Sequence, residues 1–312
     1  MSNRLWLLLL VCAGCGAGSG STESFLTALP SRQTLEVSGP SGGGAALRGA
    51  STALLGETAG LYVLTRQTTA QVNGIVGGPL DALSTIARTP PAATGADGAA
   101  WGPLTDALSP VVWRLVVSRL APGEHAFRLD VRPKSGSDAD FQPFLQGASQ
   151  GPGPAGPGQG TFSVDLDLAH RLDPVANPAA GQIVAAWNSG GGNREIHVHL
   201  DGVHLPSEPT TTADLAAVLP ADGSGALAFD VEGNLVGGAA ALELGQVGSR
   251  WNAAGAGRAD AEVQGGDSGA GVLLTECWDA SFARVFFRGV GGDGGAATEG
   301  DESACVFAEP LR

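Results

Sequence analysis

Lysine is nearly absent from this chain: Lys134 stands alone among 17 basic side chains, which face 31 acidic ones for a net charge of −14. No basic cluster occurs, and neutralising a phosphate backbone requires one, so nucleic acid is excluded as a partner. The dominance of arginine fits coding from a GC-rich genome. Aromatic residues make up only 5% of the chain. No apolar run reaches the roughly 18 residues that a membrane-spanning helix needs. Cysteine is also scarce, with 4 in the chain, and Cys277 and Cys305 are far from the CxxC spacing of a reactive dithiol. What is abundant is glycine, 49 of 312 residues, together with a hydrophobic fraction of 43% that suffices for one large or two small cores.

The first fifteen residues, MSNRLWLLLLVCAGC, place one positive charge at Arg4 before an apolar run from Leu5 to Val11, followed by small residues and a cysteine. This is an export signal, too short to span a bilayer. Ala13-Gly14-Cys15 resembles the lipobox of bacterial lipoproteins. That resemblance implies removal of residues 1–14 as a signal peptide and lipidation of Cys15, with residues 15–30 as a tether that opens on the flexible stretch GAGSGSTE. Gly16 after the cysteine implies, by the same resemblance, the outer membrane, facing the periplasm or the cell surface. Ordinary signal-peptidase cleavage near residues 16–20 is the alternative, and it too exports the chain. With Cys12 removed and Cys15 lipidated, Cys277 and Cys305 remain in a compartment where disulfides persist. They are expected to pair and to contribute on the order of 3 kcal/mol through the unfolded state.

Residues 57–87 are the one long stretch with helical periodicity. Leu61, Leu64, Thr68, Val72, Ile75, Leu80, Leu83 and Ala87 recur at steps of mostly three and four and form an apolar stripe. Gly77-Gly78-Pro79 predicts a kink, because Pro79 has no amide hydrogen to donate. Downstream the period changes to two. Residues 111–120 and 125–132 alternate cleanly around the turn Ala121-Pro122-Gly123-Glu124, and further alternation covers 162–168, 183–187, 196–201, 215–219, 227–231, 241–251, 257–264 and 272–278. Residues 34–37 read as a short strand, 141–145 as an edge and 147–160 as a Gly- and Pro-rich loop. Sequential strands without a second helix predict a mainly β (α+β) fold: residues 31–312 as one domain, a large antiparallel curved sheet or half-barrel of about ten strands wrapped on helix 57–87.

That order of elements resembles the half-barrel of periplasmic lipoprotein carriers. The segments SRWNAAGAGRAD and TECWD are in turn similar to segments of uncharacterised envelope lipoproteins from GC-rich Gram-negative bacteria. Neither resemblance implies an activity.

Several constellations invite chemistry. Gly266-Asp267-Ser268-Gly269 resembles the nucleophile segment of trypsin-like proteases, with His125 and Asp173 upstream, but His125 opens a strand and Asp-Ser-Gly suits a turn. His197, His199 and Asp201 share one strand face and are weak metal candidates, since zinc wants three or four converging ligands. Asp165 and Asp167 read as a solvated pair rather than as catalytic carboxylates. Asp293, Glu299, Asp301 and Glu302 lack the spacing of a calcium loop. The chain is therefore expected to be a non-enzymatic, membrane-anchored envelope lipoprotein without cofactor, binding a lipid or other hydrophobic small molecule in the curved sheet. The competing readings are a surface or scaffold lipoprotein with a filled core and a hydrolase using Ser268. Protein partners and the ligand-binding residues are not specified by the sequence.

Anchoring is directly testable: Cys15→Ser should abolish lipid labelling and release the exported chain from membranes, and an unchanged membrane partition would refute the lipobox reading.

Overall fold

The computed structural model describes residues 19–40, 54–151, 158–206, 210–233, 235, 241–268, 271–291 and 294–311. Its frame is one antiparallel sheet of fifteen strands in strict chain order, the first and last strands not paired with each other. The strands are β1 (Ala93–Thr94), β2 (Gly98–Leu104), β3 (Val111–Ala121), β4 (Glu124–Pro133) and β5 (Gln142–Gln150). They continue with β6 (Gln159–Asp165), β7 (Ala180–Asn188), β8 (Asn193–His204), β9 (Thr211–Pro220) and β10 (Gly225–Gly233). The last five are β11 (Glu243–Trp251), β12 (Gly257–Gly265), β13 (Val272–Trp278), β14 (Arg284–Val290) and β15 (Ala296–Gly300). Among the described residues four α-helices accompany them: α1 (Ser19–Leu26), α2 (Arg32–Leu35), α3 (Gly60–Ala87) and α4 (Leu166–Leu172).

The mainly β, antiparallel class is as the sequence predicts, with fifteen strands in place of about ten. The additional ones are β1, β2, β14 and β15, whose short length and glycine content hide the alternation. Three local readings change. Residues 34–37 overlap α2, where Ser31 forms a capping box with Thr34. Residues 142–150 are an interior strand between β4 and β6. The alternation over 162–168 breaks at Asp165, whose carboxylate accepts from the Leu168 amide at 2.9 Å and starts α4. The segment read as tether to residue 30 also shortens, since α1 lies within it and Phe25, Ala28 and Leu29 are buried.

The helix α3 runs uninterrupted across Pro79, with no break at Gly77-Gly78. A side chain at Gly77 would collide with the Arg32 guanidinium, which passes over the helix to bond Asp81 at 3.2 Å through Nε. At 28 residues the helix is about 42 Å long. Its contacts move strand by strand: Leu61 meets β13, Thr65 bonds Ser249 of β11 at 2.9 Å, residues 68–75 face β8–β10, and the far end returns the chain to β1 and β2. The helix axis therefore lies across the strands, and alternate residues of the facing strands are buried beneath it, among them Leu115, Phe127, Phe162, Ile183 and Val198. The stripe is rotated slightly from the predicted one. Thr65 and Val76 are buried, whereas Leu64 and Ile75 are only half-buried.

Glycine and tryptophan pair across the sheet. Gly160 lies opposite Trp187, Gly225 opposite Trp251 and Gly257 opposite Trp278, and a Cβ on any of the three glycines would run into the indole. Each ring packs where only a glycine leaves room.

The C-terminal segment is tied down on the opposite face of the sheet. Cys277 of β13 is bonded to Cys305 with Cα atoms 5.4 Å apart, the pairing expected from the cysteine count. Arg258, 3% exposed, donates to the Ala308 carbonyl at 2.5 Å and pairs with Asp260, and the Arg250 guanidinium lies 4.6 Å from the Phe307 ring centroid.

The start of α3 has no side-chain cap of its own. Glu276 of β13 supplies one: its buried carboxylate accepts from the Leu61 amide and pairs with the Arg284 Nε at 2.5 Å, both side chains being out of solvent. Burial pushes the Glu276 carboxyl above the ordinary glutamate range, while the amides of Leu61 and Gly60 and the guanidinium of Arg284 pull it back. The β13–β14 turn completes the seat. The Phe282 carbonyl accepts from the Ala59 amide at 3.0 Å, and its ring stacks on Tyr62 with centroids 4.5 Å apart. That contact holds Phe282 at φ 66°, a left-handed conformation that a non-glycine residue adopts at some cost. Glu276→Ala would leave the Arg284 guanidinium buried without this partner and the helix start without its acceptor. Urea denaturation should register a loss of about 3–5 kcal/mol, with a smaller loss for Glu276→Gln, which keeps an acceptor and discards the buried charge.

Candidate functional site: an apolar cavity between helix and sheet

Two pieces of chain close the space between α3 and the sheet, and they do not close it everywhere. Along the end of the strands marked by the β3–β4 and β7–β8 hairpins, residues 25–37 run across the opening. Phe25 packs edge-on against His125 with centroids 5.8 Å apart, the Ala28 carbonyl accepts from Ser149 Oγ at 2.6 Å, and the Gln33 and Glu36 carbonyls accept from Arg194 at 2.7 and 2.8 Å. Val37 then exchanges two 2.9 Å hydrogen bonds with the Asn73 side chain of α3. At the other end α4 packs on β4, β5 and β7 and buries Leu166, Leu168 and Ala169 in the core. Above β8–β10 no helix covers that end among the described residues.

A cavity of about 330 Å3 lies there, lined by Thr68, Gln71, Val72, Gly74 and Ile75 of the helix and by Leu200, Val203, Leu205, Thr211 and Phe229 of the sheet side. Its size falls within the range of small-molecule sites. The apolar side chains around it are incompletely covered. Ile75, Phe229 and Val231 are only partly buried, and Val63, Leu64, Ala261 and Leu274 continue this half-covered surface towards β13. On β3–β8 most of the equivalent positions are closed to solvent, with Trp113 an exception. The cavity was not legible from any motif. The signal in the sequence was negative, a sheet half whose helix-facing positions are small or moderate in size (Ala261, Val263, Val247).

The sequence-derived candidates lie elsewhere. Ser268 sits in a 3-10 turn, its Oγ donating to the Gly265 carbonyl at 2.6 Å. His125 is buried on the hairpin side of β4 with neither ring nitrogen hydrogen-bonded, and burial and then the Arg119 charge lower its pKa. Asp173 is spent on the end of α4, where its carboxylate accepts from the Ala176 amide at 3.1 Å. The three residues do not form a triad.

His197, His199 and Asp201 do share the solvent-facing side of β8, as their spacing predicts. There His199 Nδ1 meets the Asp214 carboxylate at 2.8 Å, and among the described residues no group of three or more His, Cys, Asp or Glu side chains is arranged to hold a metal ion. Asp165 and Asp167 serve local backbone, Asp167 accepting from the Gly181 amide at 2.8 Å. Of the acidic C-terminal residues, Glu302 pairs with Arg288 and Arg258, Glu299 lies 3.7 Å from Arg284 and Asp301 caps a turn at Ser303. Asp293 and Cys15 lie outside the described residues.

The two segments singled out by resemblance converge on one place. SRWNAAGAGRAD forms the β11–β12 hairpin and TECWD the end of β13, so that Trp251, Arg258, Glu276, Cys277 and Trp278 together hold the helix start and the C-terminal segment. Their role here is architectural. No family model, no curated protein and no solved structure matches the chain.

The contrast between packed and half-covered helix positions has a measurable consequence. Leu83→Ala, at a fully buried site, should lose about 2–5 kcal/mol, whereas Ile75→Ala at the cavity wall should lose about 1 kcal/mol, since much of its apolar surface already meets open space. Equal shifts in urea midpoint would mean that the cavity is packed in solution.

Proposed function

We propose that this chain is a lipid-anchored envelope protein that holds a hydrophobic small molecule between α3 and β8–β10, without catalysing a reaction. The observation that carries the reading is the cavity of about 330 Å3, lined largely by apolar side chains of the helix and the sheet, at a stretch of the inner layer that neither residues 25–37 nor α4 covers. Burying apolar ligand surface there would complete what the fold leaves partly wet, at roughly 25 cal/mol per Å2.

The anchoring half of the reading rests on Ala13-Gly14-Cys15 and on the polar stretch that follows. Cys15 as the mature N-terminus would tether the body through Phe25, which lies at the hairpin end of β3 and β4. The cavity borders the opposite end of β8, near Leu205. A ligand would thus enter from the side facing away from the anchor. The outer membrane is the location that Gly16 favours.

Native mass spectrometry of the Cys15→Ser chain, exported and purified without detergent, tests the binding reading. A co-purifying apolar adduct that is lost in Ile75→Trp, where the indole fills the cavity, is the expected result. Absence of any adduct, with Ile75→Trp more stable than its parent, would favour a scaffold with a filled core instead.

A further inference from the structure

Resting on that reading, we infer that the ligand is an uncharged, single-chain amphiphile carrying a hydroxyl or similar hydrogen-bond donor, and that ionised lipids are discriminated against. Among the described residues, none of the ten that line the cavity carries an ionisable side chain; the polar groups are two threonine hydroxyls and the amide of Gln71. A carboxylate or phosphate drawn into this space would lose water and gain no counter-charge, and an ammonium would find no carboxylate. The surrounding chain reinforces the bias against anions, with a net charge of −14.

The helix adds a feature that favours a donor. Pro79 cannot donate to the carbonyl four residues earlier, so the Ile75 carbonyl lacks its helical partner at the very residue that lines the cavity. Gln71 and the two threonines can donate or accept, as an uncharged hydroxyl can, whereas the Ile75 carbonyl only accepts and an ionised carboxylate has no hydrogen to offer it. Volume sets the remaining limit. At about 330 Å3 the cavity stands at the lower end of ligand sites, which suits one chain and not two.

The test uses the full-length chain with Cys15→Ser and an uncharged fluorescent probe, N-phenyl-1-naphthylamine. It is displaced by competitors of one chain length: dodecanol, monolaurin, laurate and dodecyltrimethylammonium, at about pH 8 where carboxylates are ionised. Dodecanol and monolaurin should displace the probe at least about tenfold more tightly than either ion, a difference of about 1.4 kcal/mol. Gln71→Lys, at an exposed position on the cavity wall, supplies the missing counter-charge and should narrow or invert the preference towards laurate. Equal displacement by neutral and ionised competitors would overturn the inference while leaving the binding reading standing. Failure of the probe to bind, or binding that survives Ile75→Trp, would overturn both.

Discussion

A single carboxylate on β13 decides where the long helix begins. Glu276 accepts from the first amides of α3 and is itself held by Arg284, with no solvent reaching either group. The helix dipole, a buried ion pair and the β13–β14 turn are thereby joined in one seat. Since α3 then runs across the strands, fixing its first turn sets which strand each later turn meets: Thr65 on β11, residues 68–75 on β8–β10, and the last turns near β2. A buried charge pair is a poor source of net stability but a strict judge of geometry, because either partner alone is intolerable.

The inner layer shows what that placement leaves undone. One helix is too narrow to cover a face of fifteen strands, and the protein adds residues 25–37 at one end and α4 at the other. Both additions serve the half of the sheet from β3 to β8. The other half carries smaller inward side chains and, among the described residues, no second helix, so its apolar surface is partly open. On the reverse face the same half is instead reinforced by the disulfide and by the Arg258 and Arg250 contacts to the C-terminal segment. The half that is loosely filled inside is thus the half that is braced outside, which allows a cavity to persist without collapse.

Much of this was written in local periodicity. The alternation at Trp113, Leu115 and Val117, or at Ile196, Val198 and Leu200, reports strands with one wet face, and hairpin-length turns at Gly123 and Gly223 report an antiparallel order. The Cys277–Cys305 pair was expected once the lipobox resemblance had set Cys12 and Cys15 aside. What failed to show were features set by distant chain. Asp165 ends a strand that its neighbours would continue, because its own side chain caps α4. Pro79 sits in an unbroken helix because tertiary packing outweighs one lost hydrogen bond. Leu64 and Ile75 sit at the margin of the buried stripe because the sheet, not the helix, decides how far coverage extends. The cavity had no motif to betray it, being the place where side chains are missing, and Glu276, between Thr275 and Cys277, looked like any other acid on a strand.

The strands of the meander are neighbours in space and in sequence, whereas α3 and residues 25–37 reach across long stretches of chain. Leu61 and Glu276 are 215 positions apart, and the contact between them bridges nearly the whole described chain. During synthesis the helix therefore emerges early, with its apolar stripe lacking a partner at its first turn until the thirteenth strand has been made. The strands can meanwhile zip up pairwise at low loop-closure cost while the helix waits. The long helix near the start of the sequence is thus the last element to be fully seated, and the assembly of the sheet is timed by its end and not by its beginning.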